Sequence, residues 1–290
     1  MGRAVNRLRA ARPVLKWAGG KAQLVDHILP LLPREIRTYH EPFCGGGAVF
    51  FALAAQGRFK RAVLSDSNPE LIDVYRAIRE NVDAVIGCLR DLELHHSEQK
   101  YYAVRESNPR RLDRRAARTI YLNKTGYNGL YRVNRSGAFN VPFGRYTRPK
   151  ICDEPNLRRV SEVLRSVELR VGDFEARCKS VRQGDAVYFD PPYLPLSRTA
   201  SFVSYDRHPF GWPEHQRLAR VFERLANREI CVVLSNSDTP GARELYEQWH
   251  IAPAWVARPI NSRASARGPV RELLVVGNRP AKASRRERGP

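Results

Sequence analysis

Four consecutive residues, Asp190, Pro191, Pro192 and Tyr193, offer a carboxylate, a backbone carbonyl held by proline rings, and an aromatic side chain. This set suits the handling of an amine on a planar ring. Asp190 and the carbonyl of Pro191 can each accept one hydrogen from an exocyclic amino group, turning its lone pair out of conjugation, while Tyr193 stacks on the ring that bears it.

The elements that must position these residues can be read on either side of them. Ala186 to Phe189 is a short apolar run suited to a strand covered on both faces. Pro191 and Pro192 cannot extend the ladder, so the strand stops at Asp190, at the sheet end where open α/β folds bind ligands. Earlier in the chain, Thr38 to Phe43 reads as a strand. It runs through the glycine-rich turn Phe43-Cys44-Gly45-Gly46-Gly47-Ala48 into a helix from about Ala48 to Gln56. Arg61 to Ser65 is the next strand, and it ends at Asp66, 19 residues after Gly47. An acid there binds ribose hydroxyls in nucleotide folds, and it also suits the N-cap of the helix that begins near Leu71; the two roles are compatible. Leu15-Lys16-Trp17-Ala18-Gly19-Gly20-Lys21 precedes a helical stretch and brings Lys21 to its start, where an anionic ligand group or plain solvent would meet it. The phosphate-loop pattern fails, because Leu15 stands where Gly is required and Ala22 where Ser or Thr is.

Between about Arg76 and Leu164 the pattern becomes charged and helical, with helices expected over Leu71 to Leu89 and Gln99 to Tyr121. Asn134-Arg135-Ser136-Gly137 reads as a hairpin turn flanked by Val133 and Ala138 to Val141. Around it stand Tyr127, Asn128, Tyr131, Arg132, Asn134, Arg135, Asn140, Arg145 and Arg148, basic groups interleaved with aromatics and amides. Arg pairs with guanine, Asn with adenine, and an aromatic ring wedges between bases. Strands resume at Val167 to Val171, which leads into Gly172-Asp173-Phe174, and then at Ala186 to Asp190, Ile230 to Leu234, Ile251 to Ala257 and Glu272 to Val276. Helices are expected over Pro213 to Ala226 and Leu245 to Trp249, with loops over Leu194 to Trp212 and Arg258 to Arg267. The result is an α/β fold: a Rossmann-like seven-stranded sheet with a mainly helical insertion that carries a β-hairpin. Its divisions are a catalytic unit at 13–75 and 165–279, an insertion at 76–164, and basic disordered tails at 1–12 and 280–290.

The 50 Lys and Arg residues against 30 Asp and Glu give a formal charge of +20, which favours nucleic acid as partner. No run is long and apolar enough for a membrane span or signal peptide, so a cytoplasmic protein is expected. Cys44, Cys88, Cys152, Cys178 and Cys231 lack metal-ligand or disulfide spacing and read as small buried hydrophobes; His95 and His96 read as solvated. No metal is expected. A glycine turn after one strand, an acid after the next and Asp190 to Tyr193 after a later one describe a nucleoside-containing cofactor beside a polar planar substrate. A positioned amine there can attack a methyl sulfonium in line.

The order of these motifs resembles the Dam family of DNA adenine-N6 methyltransferases, the alpha group with the Asp-Pro-Pro-Tyr motif. The resemblance is carried by Lys16 to Lys21, Glu41 to Gly47, Tyr127 to Arg132, Phe139 to Gly144 and Asp190 to Tyr193, and runs from Leu15 to about Asn278. It implies an enzyme using S-adenosylmethionine, with Trp17, Lys21, Glu41, Pro42, Phe43, Gly45, Gly47, Asp66, Asp173, Phe174 and Asp190 at cofactor-contact positions and Asp190 to Tyr193 catalytic. It implies that the insertion reads double-stranded GATC through Tyr127, Asn128, Leu130, Arg132, Asn140, Pro142 and Arg145. Tyr127 would be the wedge, Arg132 the guanine reader, and the target adenine would be flipped out. A monomer associated with the nucleoid through DNA is expected, and housekeeping marking, restriction-modification and phage-borne protection all stay open as its role. Relatives that methylate RNA bases or protein glutamines carry Asn before the prolines and lack this hairpin. A catalytically silent DNA-binding regulator on the same fold would be expected to have lost Asp190, Tyr193 or Gly45.

Overall fold

The computed structural model of the chain describes residues 10–17, 21–134, 136–193, 210–257 and 269–278. Its centre is a seven-stranded sheet in the order β3-β2-β1-β4-β5-β7-β6. The strands are β1 (Ile36–Glu41), β2 (Phe59–Asp66), β3 (Val167–Val171), β4 (Ala186–Phe189), β5 (Cys231–Ser237), β6 (His250–Ala257) and β7 (Pro269–Gly277). All seven lie where the apolar runs place them. The orientation of β7 differs from simple parallel βαβ alternation: it pairs antiparallel with both β5 and β6. The connection from β6 to β7 therefore returns as a hairpin at one edge of an otherwise parallel sheet, a common edge pattern in doubly wound folds.

Alternation of side chains along the strands divides the core in two. Ala186 and Tyr188 of β4 face one apolar cluster, together with Cys231 and Val233 of β5. Val187, Phe189, Val232 and Leu234 face the other. Burial on both faces explains why these strands read as unbroken apolar runs instead of an in-out pattern. Helices α1 (Ala48–Ala55), α2 (Pro69–Leu94), α3 (Glu98–Glu106), α4 (Leu112–Thr125) and α5 (Glu154–Leu164) contribute to the first cluster. The short α6 (Phe174–Cys178) and the amphipathic α7 (Trp212–Ala226) cover the second. Helix α8 (Pro240–Leu245) follows β5.

Some local expectations are corrected. The helix read over Gln99 to Tyr121 is two helices, because Ser107 to Arg111 break it; Pro109 lacks an amide hydrogen and disfavours helical geometry at Asn108. The helix read over Leu245 to Trp249 is shifted earlier. It begins with Pro240 at its first position under a Thr239 cap and ends at Leu245. Residues 10–12 are tied down, since Arg12 exchanges backbone hydrogen bonds with the Asn156 side chain on α5. His95 is exposed, whereas His96 is half-buried, with its Nδ1 2.8 Å from the Tyr121 hydroxyl. Cys44, Cys178 and Cys231 are buried; Cys88 and Cys152 are only partly so. Helix α2 continues past residue 75 and is broken by a kink at Asn81, whose φ of −153° and ψ of 77° are not helical. The expectations for residues 1–9, Gly19 and Gly20, Arg135, most of the Leu194 to Trp212 loop, the Arg258 to Arg267 loop and the tail at 280–290 lie outside the described residues.

Strand order fixes where a ligand can be met. From β1 the chain winds outward through β2 to β3, then returns to β4 on the other side of β1. The reversal opens a crevice at the carboxyl ends of β1 and β4. Tyr39 pairs with Ala186 and His40 with Val187. Continued upward, this register brings the glycine turn and Asp190 to the same rim.

Beneath that rim, Glu41 is 3% exposed and its Oε2 accepts the Tyr39 hydroxyl hydrogen at 2.8 Å. Burial pushes its carboxyl from an ordinary 4.5 up to about 8, against the pull of the Tyr39 bond. The folded state thus holds a proton that the unfolded chain has released. The resulting stabilisation is complete below pH 4.5 and is lost as pH rises through 8. Glu41→Gln should flatten this part of the stability profile, which chemical denaturation between pH 5 and 9 on the order of one-unit steps will measure.

Candidate active site and nucleic-acid interface

The glycine turn is fixed from three directions. Cys44 N–H donates to the Ser65 carbonyl at 3.0 Å, Gly45 N–H to Asp66 Oδ2 at 3.1 Å, and the Tyr75 hydroxyl to the Gly45 carbonyl at 2.8 Å. Gly45 and Gly47 have φ of 45° and 69°, the left-handed region where a side chain is strained. A Cβ at Gly45 would also lie 2.8 Å from Trp17 Cδ1. The turn therefore needs glycine at position 45 for conformation and for the approach of the indole.

Asp66 serves this turn as well as the rim. Its Oδ1 accepts Asn68 N–H at 3.0 Å. The N-cap of α2 is Asn68, whose side chain accepts from Glu70 N and Leu71 N. The capping role suggested for Asp66 thus belongs two residues later.

At the end of β4, Lys21 Nζ lies 2.6 Å from Asp190 Oδ1 and 4.6 Å from the centre of the Tyr193 ring. Burial alone would depress the Lys21 ammonium, but Asp190 and Tyr193 hold it above the usual lysine range. Burial likewise raises the Asp190 carboxyl, opposed by Lys21 and by a hydrogen bond from Ser235. That bond, from Ser235 Oγ to Asp190 Oδ1, is 3.0 Å long, and Ser235 Oγ is in turn 2.8 Å from the Tyr188 hydroxyl. Pro191 is buried and Pro192 exposed. Tyr193 is half-buried, its hydroxyl donating to Glu272 Oε1 at 2.6 Å.

Farther along the rim, Phe174 is buried and stacks on Phe43 with centroids 5.2 Å apart. The Arg217 guanidinium sits 4.4 Å over its ring. Asp173 caps α6 by accepting from Glu175 N and Ala176 N, and its Oδ2 accepts from Arg217 at 2.6 Å. Pro42 is buried between the glycine turn and Glu41. The residues read as cofactor contacts thus form two neighbouring groups, one around Trp17, Gly45, Gly47 and Asp66, the other around Phe43, Asp173 and Phe174, with Lys21 and Asp190 at the β4 end. Glu41 points its carboxyl inward to Tyr39.

The hairpin projects from the end of α4. Asn140 N–H donates to the Arg132 carbonyl, Tyr127 N–H to Pro142, and Gly144 N–H to Thr125. Val133 bridges Phe139 and Gly126 bridges Phe143. The Asn134 side chain closes the turn by accepting from Ser136 N and Ala138 N. Tyr127 and Leu130 are 53% and 37% exposed, two of the four large apolar side chains exposed among the described residues. Asn128, Pro142 and Arg145 are exposed beside them, and Asn128 and Arg145 adopt positive φ of 54° and 52°. Arg132 Nε donates to Asn140 Oδ1 at 2.7 Å, so the two polar side chains read as base contacts hold each other.

Several functional neighbours were not singled out from sequence. Asn123 is buried; its Oδ1 accepts Lys16 N–H at 2.8 Å, and its Nδ2 donates to the Lys16 and Gly129 carbonyls at 2.7 and 3.0 Å. The Trp17 and Tyr131 rings lie 5.1 Å apart. These contacts join the Lys16 to Lys21 segment to the base of the hairpin. Glu272 carried a signal in retrospect, being a lone acid against the buried run Leu273 to Val276.

Residues 17–260 match the model of the D12 class N6 adenine-specific DNA methyltransferase. The chain belongs to that family and is an adenine-specific DNA methyltransferase. It is 42% identical to the type II methyltransferase M1.LlaDCHI of Lactococcus lactis subsp. cremoris, over 91% of this chain and 94% of that one. It is 43% identical to the type II methyltransferase M.MjaIII of Methanocaldococcus jannaschii, over 91% and 98%, and 36% identical to the DNA adenine methylase of Escherichia coli K12, over 93% and 96%. Among the described residues no helix is long and apolar enough to cross a membrane.

Gly45→Ala should destabilise the chain by about 1 to 3 kcal/mol through the left-handed backbone and displacement of Trp17. Urea unfolding measures the loss, and a shifted Trp17 emission, read against Trp17→Phe, measures the displacement.

Proposed function

We propose that this chain transfers a methyl group from S-adenosylmethionine to the N6 amine of an adenine flipped out of GATC in double-stranded DNA. The observation that carries the reading is the amine already held at the end of β4: the Lys21 ammonium rests on Asp190 and against the Tyr193 ring. A pocket that accepts one nitrogen in this way has the acceptor and the ring that an adenine amine requires.

The residues around the glycine turn fit a nucleoside cofactor bearing a positive sulfur. Asp66 offers carboxylate oxygens, Gly45 and Gly47 allow close approach of backbone, and Trp17 and Phe174 supply aromatic walls. When bound, S-adenosylmethionine supplies the electrophilic methyl group. Asp190 and the Pro191 carbonyl orient the amine by accepting its two hydrogens, and Tyr193 holds the plane of the base. Lys21 yields its place on Asp190 as the target amine arrives. Residues 76–164 form the target-recognition unit of a monomer, with Tyr127 filling the gap left by the flipped base and Arg132 turning from Asn140 toward guanine. Asn128, Leu130, Asn140, Pro142 and Arg145 complete the proposed DNA contacts. The exposed apolar pair Tyr127 and Leu130 supports this assignment, since such groups on a charged hairpin mark a binding surface.

Mapping methylated adenines in DNA exposed to the purified chain tests the reading directly. Modification confined to the adenine of GATC is expected; modification of another base or site would overturn it. Asp190→Ala should slow single-turnover methyl transfer by roughly a hundredfold or more. DNA affinity should fall on the order of a thousandfold between 50 and 200 mM salt if about six phosphates are neutralised. Arg132→Ala should reduce discrimination at the guanine by about 1 to 3 kcal/mol, whereas an equal loss on every sequence would make Arg132 a phosphate contact.

A further inference from the structure

The Tyr193 ring is held by two groups outside its own Asp190 to Tyr193 motif. Its backbone follows two prolines, whose fixed φ limits the path of the main chain but leaves the side-chain torsions of Tyr193 free. Lys21 lies against the ring, and that contact must change when a base takes the place of the ammonium. The other constraint is at the ring's edge. The Tyr193 hydroxyl donates to Glu272 Oε1 at 2.6 Å across 79 residues of sequence. A phenol donating to a carboxylate at this distance is a charge-assisted bond, stronger and more directional than a neutral one.

Glu272 is itself well placed to be a fixed point. It is buried on β7, paired in register with Ser237 of β5 on one side and Ala254 of β6 on the other. The antiparallel course of β7 carries its first half to the rim where β4 ends. A carboxylate on a strand hydrogen-bonded along both edges moves less than one on a loop.

We propose that Glu272 is a positioning residue for methyl transfer: by fixing the Tyr193 hydroxyl it sets the plane on which the target base stacks. The assignment rests on Tyr193 being the stacking ring of the proposed reaction. Glu272 touches neither substrate nor cofactor in this scheme; it acts on the base through the Tyr193 hydroxyl, while its charge also helps to hold Lys21 protonated. Removing either end of the bond should have the same consequence for the plane of the ring.

The test is a double-mutant cycle read by three measurements: the single-turnover rate on a GATC duplex, the fluorescence of 2-aminopurine at the target position, and S-adenosylmethionine affinity by calorimetry. Glu272→Ala and Tyr193→Phe should each slow transfer about tenfold, consistent with loss of one oriented hydrogen bond. Combining them should slow it no further. Glu272→Gln, which keeps an acceptor oxygen, should recover most of the rate. The 2-aminopurine signal should change alike in Glu272→Ala and Tyr193→Phe, and cofactor affinity should stay within about twofold in both. If Glu272→Ala does not fold, the cycle runs with Glu272→Gln and Tyr193→Phe, where the double variant should match Tyr193→Phe. Wild-type rate in Glu272→Ala, additive losses in the double variant, or loss of cofactor affinity alone would overturn the proposal. Those results would leave the methyltransferase reading standing, whereas failure of the wild-type chain to modify adenine would overturn both.

Discussion

Strand β4 must lie against β1, although 144 residues separate the end of one from the start of the other. Everything at the rim depends on that pairing. It levels the glycine turn with Asp190, and it creates the reversal of strand order at which a crevice opens. Apolar side chains buried on both faces hold the two strands together. The pairing also explains why a carboxyl group such as Glu41 is tolerated so deep. The acid lies one step below the rim, protonated by burial and bonded to Tyr39, so the sheet carries a polar residue there without a buried unpaired charge.

A second dependence links the sheet to the insertion. The Asn123 side chain hydrogen-bonds to two segments, at Lys16 beside Trp17 and at Gly129 at the base of the hairpin. The Trp17 and Tyr131 rings meet beside it. One buried amide thus ties the segment that ends in Lys21 to the element that presents Tyr127. A shift of either segment is felt by the other, because interiors are packed too closely to absorb it.

Much of this architecture could be read from sequence, for reasons that are local. The strands appear as apolar runs, and the motifs at Glu41 to Gly47, Tyr127 to Arg132 and Asp190 to Tyr193 are contiguous, so each is legible by itself. The break between α3 and α4 carries one local signal, Pro109, but the apolar spacing on either side continues the helical pattern across it. What could not be read is pairing over distance. Glu272 meets Tyr193, Ser235 meets Asp190 and Asn123 meets Lys16 across 79, 45 and 107 residues. Nothing in β7 reveals its direction, because an apolar run looks the same whichever way the strand is laid. The capping assignment failed for a related reason: Asp66 and Asn68 are both good caps, and the demand of the glycine turn for an acceptor decided between them.

The late position of Glu272 has a consequence for how the protein is made. A chain leaving the ribosome from its amino end has released every recognisable motif, from Lys16 to Tyr193, while β7 is still unsynthesised. At typical rates of about 5 to 20 residues per second, several seconds separate the emergence of Tyr193 from that of its carboxylate partner. Throughout that interval the Tyr193 ring lacks its anchor, and β5, once it emerges, has an open edge. The nascent polypeptide can collapse around β1 and β4, but it completes its rim only when the terminal hairpin folds back against β5.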